Sequence, residues 1–279
     1  MYIGIDVGGT KISAGLVKNG KVLKKIVIEE KIRDRTHFLE IIFYLIDGLY
    51  NKKVNAIGIG VPALVQNYSI CEPVNLGFID SLKLSEIIEK KYKVKLRIAN
   101  DAKCFALGEL LFGSAKKFDN SVCLTIGTGL GGAIIINKKI YLGKNHGAGE
   151  FGAIRLENSL LEDACSGKFF ITKGNSGANF YTLARKNNKK ALKVFNEYGL
   201  NLGKALALIV CSLNPQAIIL GGSVSNSFVF FKKSMMVALK KFTYKKSFEG
   251  LKLIKSKNLD YGIIGAAYLC NERTKNFFS

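Results

Sequence analysis

The sequence predicts an α/β protein of two domains, each opening with a hairpin of strands, that face each other across a cleft. The length of 279 residues exceeds what one small core holds and fits two domains of ordinary size. Strand-like and helix-like segments alternate along the first third of the chain, and the strand pattern then restarts near residue 121. No low-complexity segment or flexible linker separates the two halves.

The first domain is predicted to begin with strands joined by a tight turn. The Asn19-Gly20 pair is typical of a two-residue hairpin turn. Apolar residues at helical spacing predict a helix at 36–50, and Asp101 is placed to cap the helix at 102–111. The predicted elements are strands at 2–7, 11–18, 21–28, 56–61 and 95–99, and helices at 36–50, 84–92 and 102–111.

The second domain is predicted to begin with strands linked by a glycine turn at 127–132. The remaining predicted elements are strands at 121–126, 133–136, 139–142 and 217–220, and helices at 192–213, 228–242 and 260–270. The last helix is rich in small residues, which suits it to close packing. We expect an N-terminal domain of residues 1–102 with 260–279, and a larger C-terminal domain of residues 103–259.

The composition indicates a globular chain, since 48% of the residues are hydrophobic and 23% are charged. No apolar run reaches about 18 residues, so no membrane span is expected. The N-terminus lacks a basic segment followed by an apolar one, which argues against a signal peptide. The six cysteines are scattered singly, so we expect a soluble, cytoplasmic protein whose thiols are reduced and mostly buried.

The formal net charge of +21 has two interpretations, a nucleic-acid partner or a surface biased toward lysine. Only six of the 42 basic residues are arginine, the residue best suited to gripping phosphates and reading bases. The lysines come in pairs spread along the chain and form no single tract. We therefore expect no nucleic-acid partner, although the charge would still attract anionic nucleotides.

A first candidate site is the segment Asp6-Val7-Gly8-Gly9-Thr10-Lys11. Glycines let backbone N–H groups approach phosphate oxygens, and Thr10 and Lys11 add donors. At the end of a strand, Asp6 could hold Mg²⁺ directly or through its water shell. The alternative interpretation is a plain hairpin turn with a surface lysine.

A second glycine segment, Gly127-Thr128-Gly129-Leu130-Gly131-Gly132, matches the dinucleotide-binding pattern GxGxxG. That pattern requires a helix next, whereas an apolar strand follows here, so a second phosphate turn between strands fits better. No GxxxxGK[ST] segment of a P-loop protein occurs. A third candidate is Asn100-Asp101, because an acid at the carboxyl end of a strand is placed to accept a proton. Asp101 could serve as a helix cap, as a base, or as both.

Together these segments resemble the ROK sugar kinases, within the actin-like and hexokinase-like superfamily, along nearly the whole chain. Residues 3–11 and 126–132 resemble the two phosphate motifs of that family, and Asn100-Asp101-Ala102 its catalytic segment. The other matching segments are 58–62 (its sugar-side loop, with Ala63 where glycine is usual), 107–109, 147–152 (its AGExGH segment) and 214–222 (its adenosine motif).

The resemblance implies two actin-like, ribonuclease H-like domains and transfer of the γ-phosphoryl group of ATP to a hexose hydroxyl. The acceptor would be the 6-hydroxyl of glucose or of a related hexose or N-acetylhexosamine, with Asp101 as the general base and Asp6 at Mg²⁺. The implied sugar-binding residues are Pro62, Asn75, Asn100, Asp101, Glu150 and Glu162. The implied ATP-binding residues are Gly8, Gly9, Thr10, Lys11, Gly127, Thr128, Gly129, Gly221 and Gly222. A homodimer would also be consistent with the family.

The chain departs from the family pattern at its zinc site. The family's AGExGH segment ends in a histidine that contacts the sugar and binds zinc with three cysteines, and this chain has Ala153 there and no CxCGxxGC loop. Residues 160–167 resemble the segment after that loop, so Glu162 falls on the family's second sugar glutamate. The lone Cys165 and His146 cannot complete a four-ligand site, so we expect no zinc. We also expect His146, in its glycine-rich turn, to be structural.

Two alternatives stay open. One is a non-catalytic or re-purposed ROK protein whose altered site binds another polyol or amino sugar. The other is a ROK repressor, which the resemblance disfavours because such proteins carry a DNA-binding domain ahead of the kinase-like part, and this chain starts at the first strand.

Overall fold

The protein is described by a computed structural model, which covers residues 1–73, 76–156, 159–241 and 245–279. The strands are β1 (Tyr2–Val7), β2 (Ile12–Lys18), β3 (Lys21–Ile28), β4 (Ala56–Val61), β5 (Leu64–Gln66), β6 (Ser69–Cys71), β7 (Lys95–Asn100), β8 (Ser121–Ile126), β9 (Leu130–Ile136), β10 (Lys139–Tyr141), β11 (Arg155–Leu156), β12 (Ser159–Leu160), β13 (Ala217–Gly221) and β14 (Lys252–Lys255). The α-helices are α1 (Arg35–Leu49), α2 (Leu84–Tyr92), α3 (Asp101–Phe112), α4 (Leu161–Cys165), α5 (Gly167–Thr172), α6 (Gly177–Arg185), α7 (Lys189–Leu213), α8 (Phe228–Lys240) and α9 (Tyr261–Tyr268).

Two five-stranded sheets organise these elements, with strand orders β3-β2-β1-β4-β7 and β10-β9-β8-β13-β14. In the first sheet β2 is antiparallel to β1 and β3, while β1, β4 and β7 run parallel. In the second sheet β8, β13 and β14 run parallel. Because parallel strands end at the same edge of a sheet, each sheet gathers several strand carboxyl ends at one edge.

Packing divides the chain into two compact units. The first comprises Met1–Lys117, Ala133–Ala148 and Lys257–Ser279, and the second comprises Phe118–Gly132 and Gly149–Ser256. The domain bounds expected from the sequence stay a prediction. Within the described residues, no helix is both long enough and apolar enough to cross a lipid bilayer.

Helix α9 packs tightly onto the first sheet, as its small residues predicted. A Cβ atom on Gly4 of β1 would overlap the carbonyl oxygen of Ile263, and one on Gly58 of β4 would overlap that of Ala266. The backbone of α9 therefore lies directly on the two strands. Helix α3 approaches it equally closely, since a Cβ on Gly265 would overlap the carbonyl oxygen of Cys104.

The predicted α/β class is confirmed, with two five-stranded sheets. Strands 2–7, 21–28, 56–61 and 121–126 and helix 84–92 have the predicted bounds. Several predictions were wrong in detail. The helix predicted at 192–213 already begins at Lys189. The glycine turn is shorter than 127–132, because β9 already begins at Leu130. Asn100, not Asp101, caps α3. Helix α9 ends at Tyr268. Of the six free cysteines, three are buried, so the thiols are not mostly buried. Helix α8 ends at Lys240, and the predicted end of that helix at 242 lies outside the described residues.

Candidate functional site

The first unit brings Asp6 and Asp101 to the same edge of its sheet. Asp6, near the end of β1, pairs in register with Gly60 of β4. The next residue of β4, Val61, pairs with Asn100 at the end of β7. The two acidic residues therefore stand on either side of the end of β4. Burial raises the pKa of the Cys104 thiol, and both acids lie close enough to raise it further.

The Asp6 carboxylate is a partly buried acid with weakened acidity. Burial raises its pKa from 3.8 to about 6, and nearby Asp260 adds to the rise, whereas Lys11 and Lys25 oppose it. Lys25 forms an ion pair of 2.5 Å with Asp260. A carboxylate whose negative charge is not fully compensated by the protein is a suitable place for a cation.

The first glycine turn joins β1 to β2 immediately beyond Asp6. The backbone N–H of Gly8 donates to the carbonyl oxygen of Lys11 at 3.0 Å, which closes the turn. Gly9, Thr10 and Lys11 are exposed. The predicted strand–turn–strand context of this segment is therefore present.

Asn100 ties the start of α3 to the loop after β4. Its Oδ1 accepts a hydrogen bond from the backbone N–H of Lys103 at 3.1 Å, and its Nδ2 donates to the carbonyl oxygen of Ala63 at 3.3 Å. Asp101 is the first residue of the helix, and its carboxylate accepts from the backbone N–H of Ala102 at 2.9 Å. The half-buried Pro62 stands in the loop that Asn100 holds.

A buried lysine that the motifs did not indicate lies two residues after Asp101 in α3. Lys103 is only 3% exposed, and its Nζ donates to the carbonyl oxygen of His146 at 2.5 Å. His146 adopts a left-handed conformation with φ of 60°. Its Nδ1 lies 2.6 Å from the carbonyl oxygen of Val65. These contacts are consistent with the structural role expected for His146, because they hold its loop against β5.

The second unit brings its two glycine segments together at the ends of β8 and β13. Gly221 pairs in register with Thr125, so the end of β13 lies beside the residues that lead into Gly127. Gly222 has a φ of +78°, and a Cβ there would overlap the backbone of Ile126. Only glycine fits this position. The second glycine turn, residues 127–129, is closed by a hydrogen bond of 3.0 Å from the N–H of Gly127 to the carbonyl oxygen of Gly129.

Three residues of α4 and the start of α5 hold the second glycine turn by hydrogen bonds. The carboxylate of Glu162 accepts from the N–H of Leu130 at 3.0 Å. The Ser166 hydroxyl donates to the carbonyl oxygen of Thr128 at 3.0 Å, and the N–H of Gly167 donates to that of Gly127 at 2.7 Å. The sequence pointed to Glu162 but not to these hydrogen bonds, because the residues that make them are more than 30 positions from the turn.

Two further predicted sugar-binding residues are Glu150 and Asn75. Glu150 is exposed and precedes a short 3-10 helix, Phe151–Ala153, in which Ala153 is also exposed. Asn75 lies outside the described residues. Among the residues that the structure describes, no group of three or more His, Cys, Asp or Glu side chains is arranged to hold a metal ion.

The fold and these strand-end sites define the class of protein: an α/β chain with the actin-like architecture of two sheets. The particular family follows from direct comparison. The model of the ROK family matches residues 2–273, and the chain belongs to that family.

Similar proteins cover this chain almost entirely. An N-acetyl-D-glucosamine kinase of Vibrio parahaemolyticus is 31% identical over 96% of this chain and 99% of its own length. An N-acetylgalactosamine kinase of a Shewanella strain is 26% identical over 96% of each chain. The crystal structure of a ROK family glucokinase from Streptomyces griseus, in complex with glucose and AMPPNP, has a TM-score of 0.84 and 25% identity and covers 96% of this chain and 98% of its own.

Proposed function

We propose that this ROK protein is an ATP-dependent sugar kinase that moves the γ-phosphoryl group to a hydroxyl of a hexose or N-acetylhexosamine. The observation that carries the proposal is the position of Asp101, at the carboxyl end of β7, beside the Asn100 cap. The kinase names of the similar proteins support the same class of reaction.

Asp101 is assigned the role of general base. Its carboxylate takes the proton of the sugar hydroxyl as that oxygen attacks the γ-phosphorus and the bond to the leaving ADP breaks. The Asn100 cap fixes where α3 begins and so fixes the position of Asp101. Phosphoryl transfer asks a protein mainly for positioning and charge stabilisation, which makes this rigidity functional.

The Asp6 carboxylate fits a magnesium ion held directly or through water. Mg²⁺ prefers hard oxygen ligands and is often bound by one or two carboxylates together with substrate phosphates. When bound, the ion would neutralise charge on the β- and γ-phosphates. Two observations support this role for Asp6. The first glycine turn begins just after it, and its raised pKa indicates that the protein does not fully compensate its negative charge.

The two glycine turns are proposed to bind the phosphates. Gly8, Gly9, Thr10 and Lys11 offer backbone and side-chain donors in the first unit. Gly127, Thr128 and Gly129 offer backbone groups in the second, and the adjacent Gly221 and Gly222 are proposed to lie by the nucleoside. Glycine carries no side chain to cover the backbone, and Gly9 is exposed while Gly8, Gly127, Gly129 and Gly222 are partly exposed and Gly221 is buried.

The proposed acceptor is the 6-hydroxyl of glucose or of a related hexose or N-acetylhexosamine. Asn100, Glu150 and Glu162 are proposed to hold sugar hydroxyls, with Pro62 and Asn75 beside them. Because Asn100 already binds Ala63 and the N–H of Lys103, its amide has less capacity left for sugar than the motif alone implied. We also propose that no zinc takes part, that no nucleic acid is a partner, and that the protein acts in the cytoplasm, with a homodimer as its assembly.

A coupled assay of ADP release tests the function. The purified chain is incubated with Mg²⁺, ATP and each of glucose, mannose, fructose, N-acetylglucosamine, N-acetylgalactosamine and N-acetylmannosamine. We expect turnover with at least one sugar and loss of turnover in Asp101→Asn. Sugar binding without ADP release across the panel would instead support the alternative, a non-catalytic ROK sugar-binding protein.

A further inference from the structure

A negative charge lies directly beneath the second glycine turn. A Cβ on Gly129 would stand 2.5 Å from Oε2 of Glu162, the same oxygen that accepts from the N–H of Leu130. If the turn binds phosphate, this carboxylate is only a few ångströms from the phosphate charge. Like charges at that distance repel, and the repulsion is stronger near protein than in bulk water.

Lys168 supplies the opposite charge at this point. Its Nζ lies 2.6 Å from Oε1 of Glu162, while the nearest oxygen of Asp163 is 3.9 Å away, beyond hydrogen-bond distance. The hydrogen bond to Glu162 raises the pKa of Lys168, so the ammonium stays charged. The lysine side chain is 43% exposed and that of Glu162 is 21% exposed, so a ligand can reach the cation.

We infer that Lys168 is the charge-balancing cation of the second glycine turn, neutralising Glu162 so that the turn accepts the phosphates of a nucleotide. The inference rests on the proposed phosphate role of that turn. An ammonium has three N–H donors, and Oε1 of Glu162 takes one of them. Lys168 therefore acts by cancelling the carboxylate charge and, on its exposed side, by donating to a phosphate oxygen.

A second lysine provides a matched comparison. Lys173, the residue that follows α5, forms an ion pair of 2.6 Å with Glu197 and has a side chain that is 34% exposed. Exposed pairs of this kind contribute little to stability. The hydrogen bond of Glu197 joins it to Lys173, on the far end of α5, whereas Glu162 binds the residue that follows the glycine turn. The two pairs thus differ in what the acid touches, and Lys173 also lies 5.2 Å from the centre of the Phe169 ring.

Calorimetric titration with the magnesium complexes of AMPPNP and ADP tests the inference on the full chain. We compare wild type, Lys168→Met, Lys168→Arg, Lys173→Met and the double variant Lys168→Met/Glu162→Gln. Lys168→Met should weaken nucleotide binding about tenfold, a loss of about 1.4 kcal/mol. Lys173→Met should bind as wild type does, and Lys168→Arg should retain most of the affinity. The double variant should recover part of the loss, because it removes the uncompensated carboxylate.

The outcomes separate this inference from the proposed function. Nucleotide binding by wild type that Lys168→Met leaves unchanged would overturn the charge-balancing role alone. An equal loss in Lys173→Met, or a double variant that binds no better than Lys168→Met, would overturn that role as well. A wild-type chain that binds neither nucleotide would overturn the proposed function, and the inference with it. Circular dichroism of Lys168→Arg and Lys168→Met confirms that both variants fold.

Discussion

A Cβ atom on Gly262 would stand 2.8 Å from Oδ2 of Asp6, so the carboxylate near the end of β1 lies against the first turn of α9. Neither residue's neighbourhood in the sequence indicates this relationship, because 256 positions separate them (262 minus 6). The consequence is that α9, which takes no part in the motifs, controls where the Asp6 carboxylate can lie.

Gly262→Ala should therefore impair the proposed magnesium role of Asp6 while leaving the fold intact. The new methyl group forces the carboxylate to shift, whereas alanine is favoured over glycine inside a helix by about 1 kcal/mol. We expect a severalfold higher Mg²⁺ concentration at half-maximal activity, with little change in melting temperature. Gly77→Ala is the control, because no atom of the described residues lies within 4 Å of a Cβ there. An unchanged Mg²⁺ dependence would show that the carboxylate has room to move.

Asp6→Asn should stabilise the protein at neutral and alkaline pH. The pKa of Asp6 is raised by burial from 3.8 in the unfolded chain to about 6 in the folded one. Its contribution to folding is therefore fully favourable below about pH 4 and is lost as the pH rises through about 6. Removing the charge should raise the free energy of unfolding by up to about 3 kcal/mol near pH 8, since one pKa unit is about 1.4 kcal/mol.

Urea unfolding in magnesium-free buffer checks this, with the measurement near pH 4 as the internal control. There the two proteins should differ by only about 0.5 kcal/mol, because the carboxyl is protonated in the folded state and only about half ionised in the unfolded one. A stability difference that is the same at both pH values would contradict the assignment of the raised pKa to Asp6.

Asp101→Asn should abolish turnover and leave sugar binding largely intact. The amide preserves the shape of the side chain but cannot accept the hydroxyl proton. Steady-state kinetics and direct sugar titration are measured together. The control is Glu86→Gln, which removes a carboxylate of α2 that is 71% exposed and pairs with Lys83. A variant that keeps about a tenth of the wild-type rate, a loss of only about 1.4 kcal/mol, would remove Asp101 from the base role.

The purified protein should contain no stoichiometric zinc, and chelators should leave its melting temperature unchanged. The reason is the missing cysteine loop and Ala153, which stands where the family has histidine. Elemental analysis of the wild type and of Ala153→His checks this, because a lone imidazole has no thiolates to complete a tetrahedral site. One zinc per chain in the wild type would contradict it.

The sequence predicted well what depends on local patterns. Strands β1, β3, β4 and β8 alternate or run apolar between turn residues, and their bounds are those of the structure. Helices α4 and α5 were missed because they have five and six residues, too few to show a period. Strand β14 was missed for a similar reason, since its four residues include two lysines. Helix α6 was missed although it has nine residues, as many as α2, which was predicted.

The sequence predicted which residues belong to the candidate site, but it did not predict which groups they contact. Asp6, Asn100 and Glu162 were predicted because each lies within a recognisable sequence motif. The hydrogen-bond partners of Asn100 and Glu162 could not be predicted, because only the tertiary fold brings the Ala63 carbonyl and the Lys168 ammonium next to them. The cap of α3 was placed one residue late because Asn100 and Asp101 are both good capping residues.

The packing of α9 on β1 and β4 has a consequence for the order of events during synthesis. Helix α9 belongs to the first unit but is translated after Gly149–Ser256, the larger part of the second. Until it emerges, Gly4 and Gly58 expose bare backbone that no side chain covers. Contacts of such large sequence separation form slowly. We therefore expect the first sheet to complete its packing only after α9 has been synthesised, whereas the second unit can fold earlier. Pulse-labelled hydrogen exchange on nascent chains should find β1 and β4 protected only after residue 268 has left the exit tunnel.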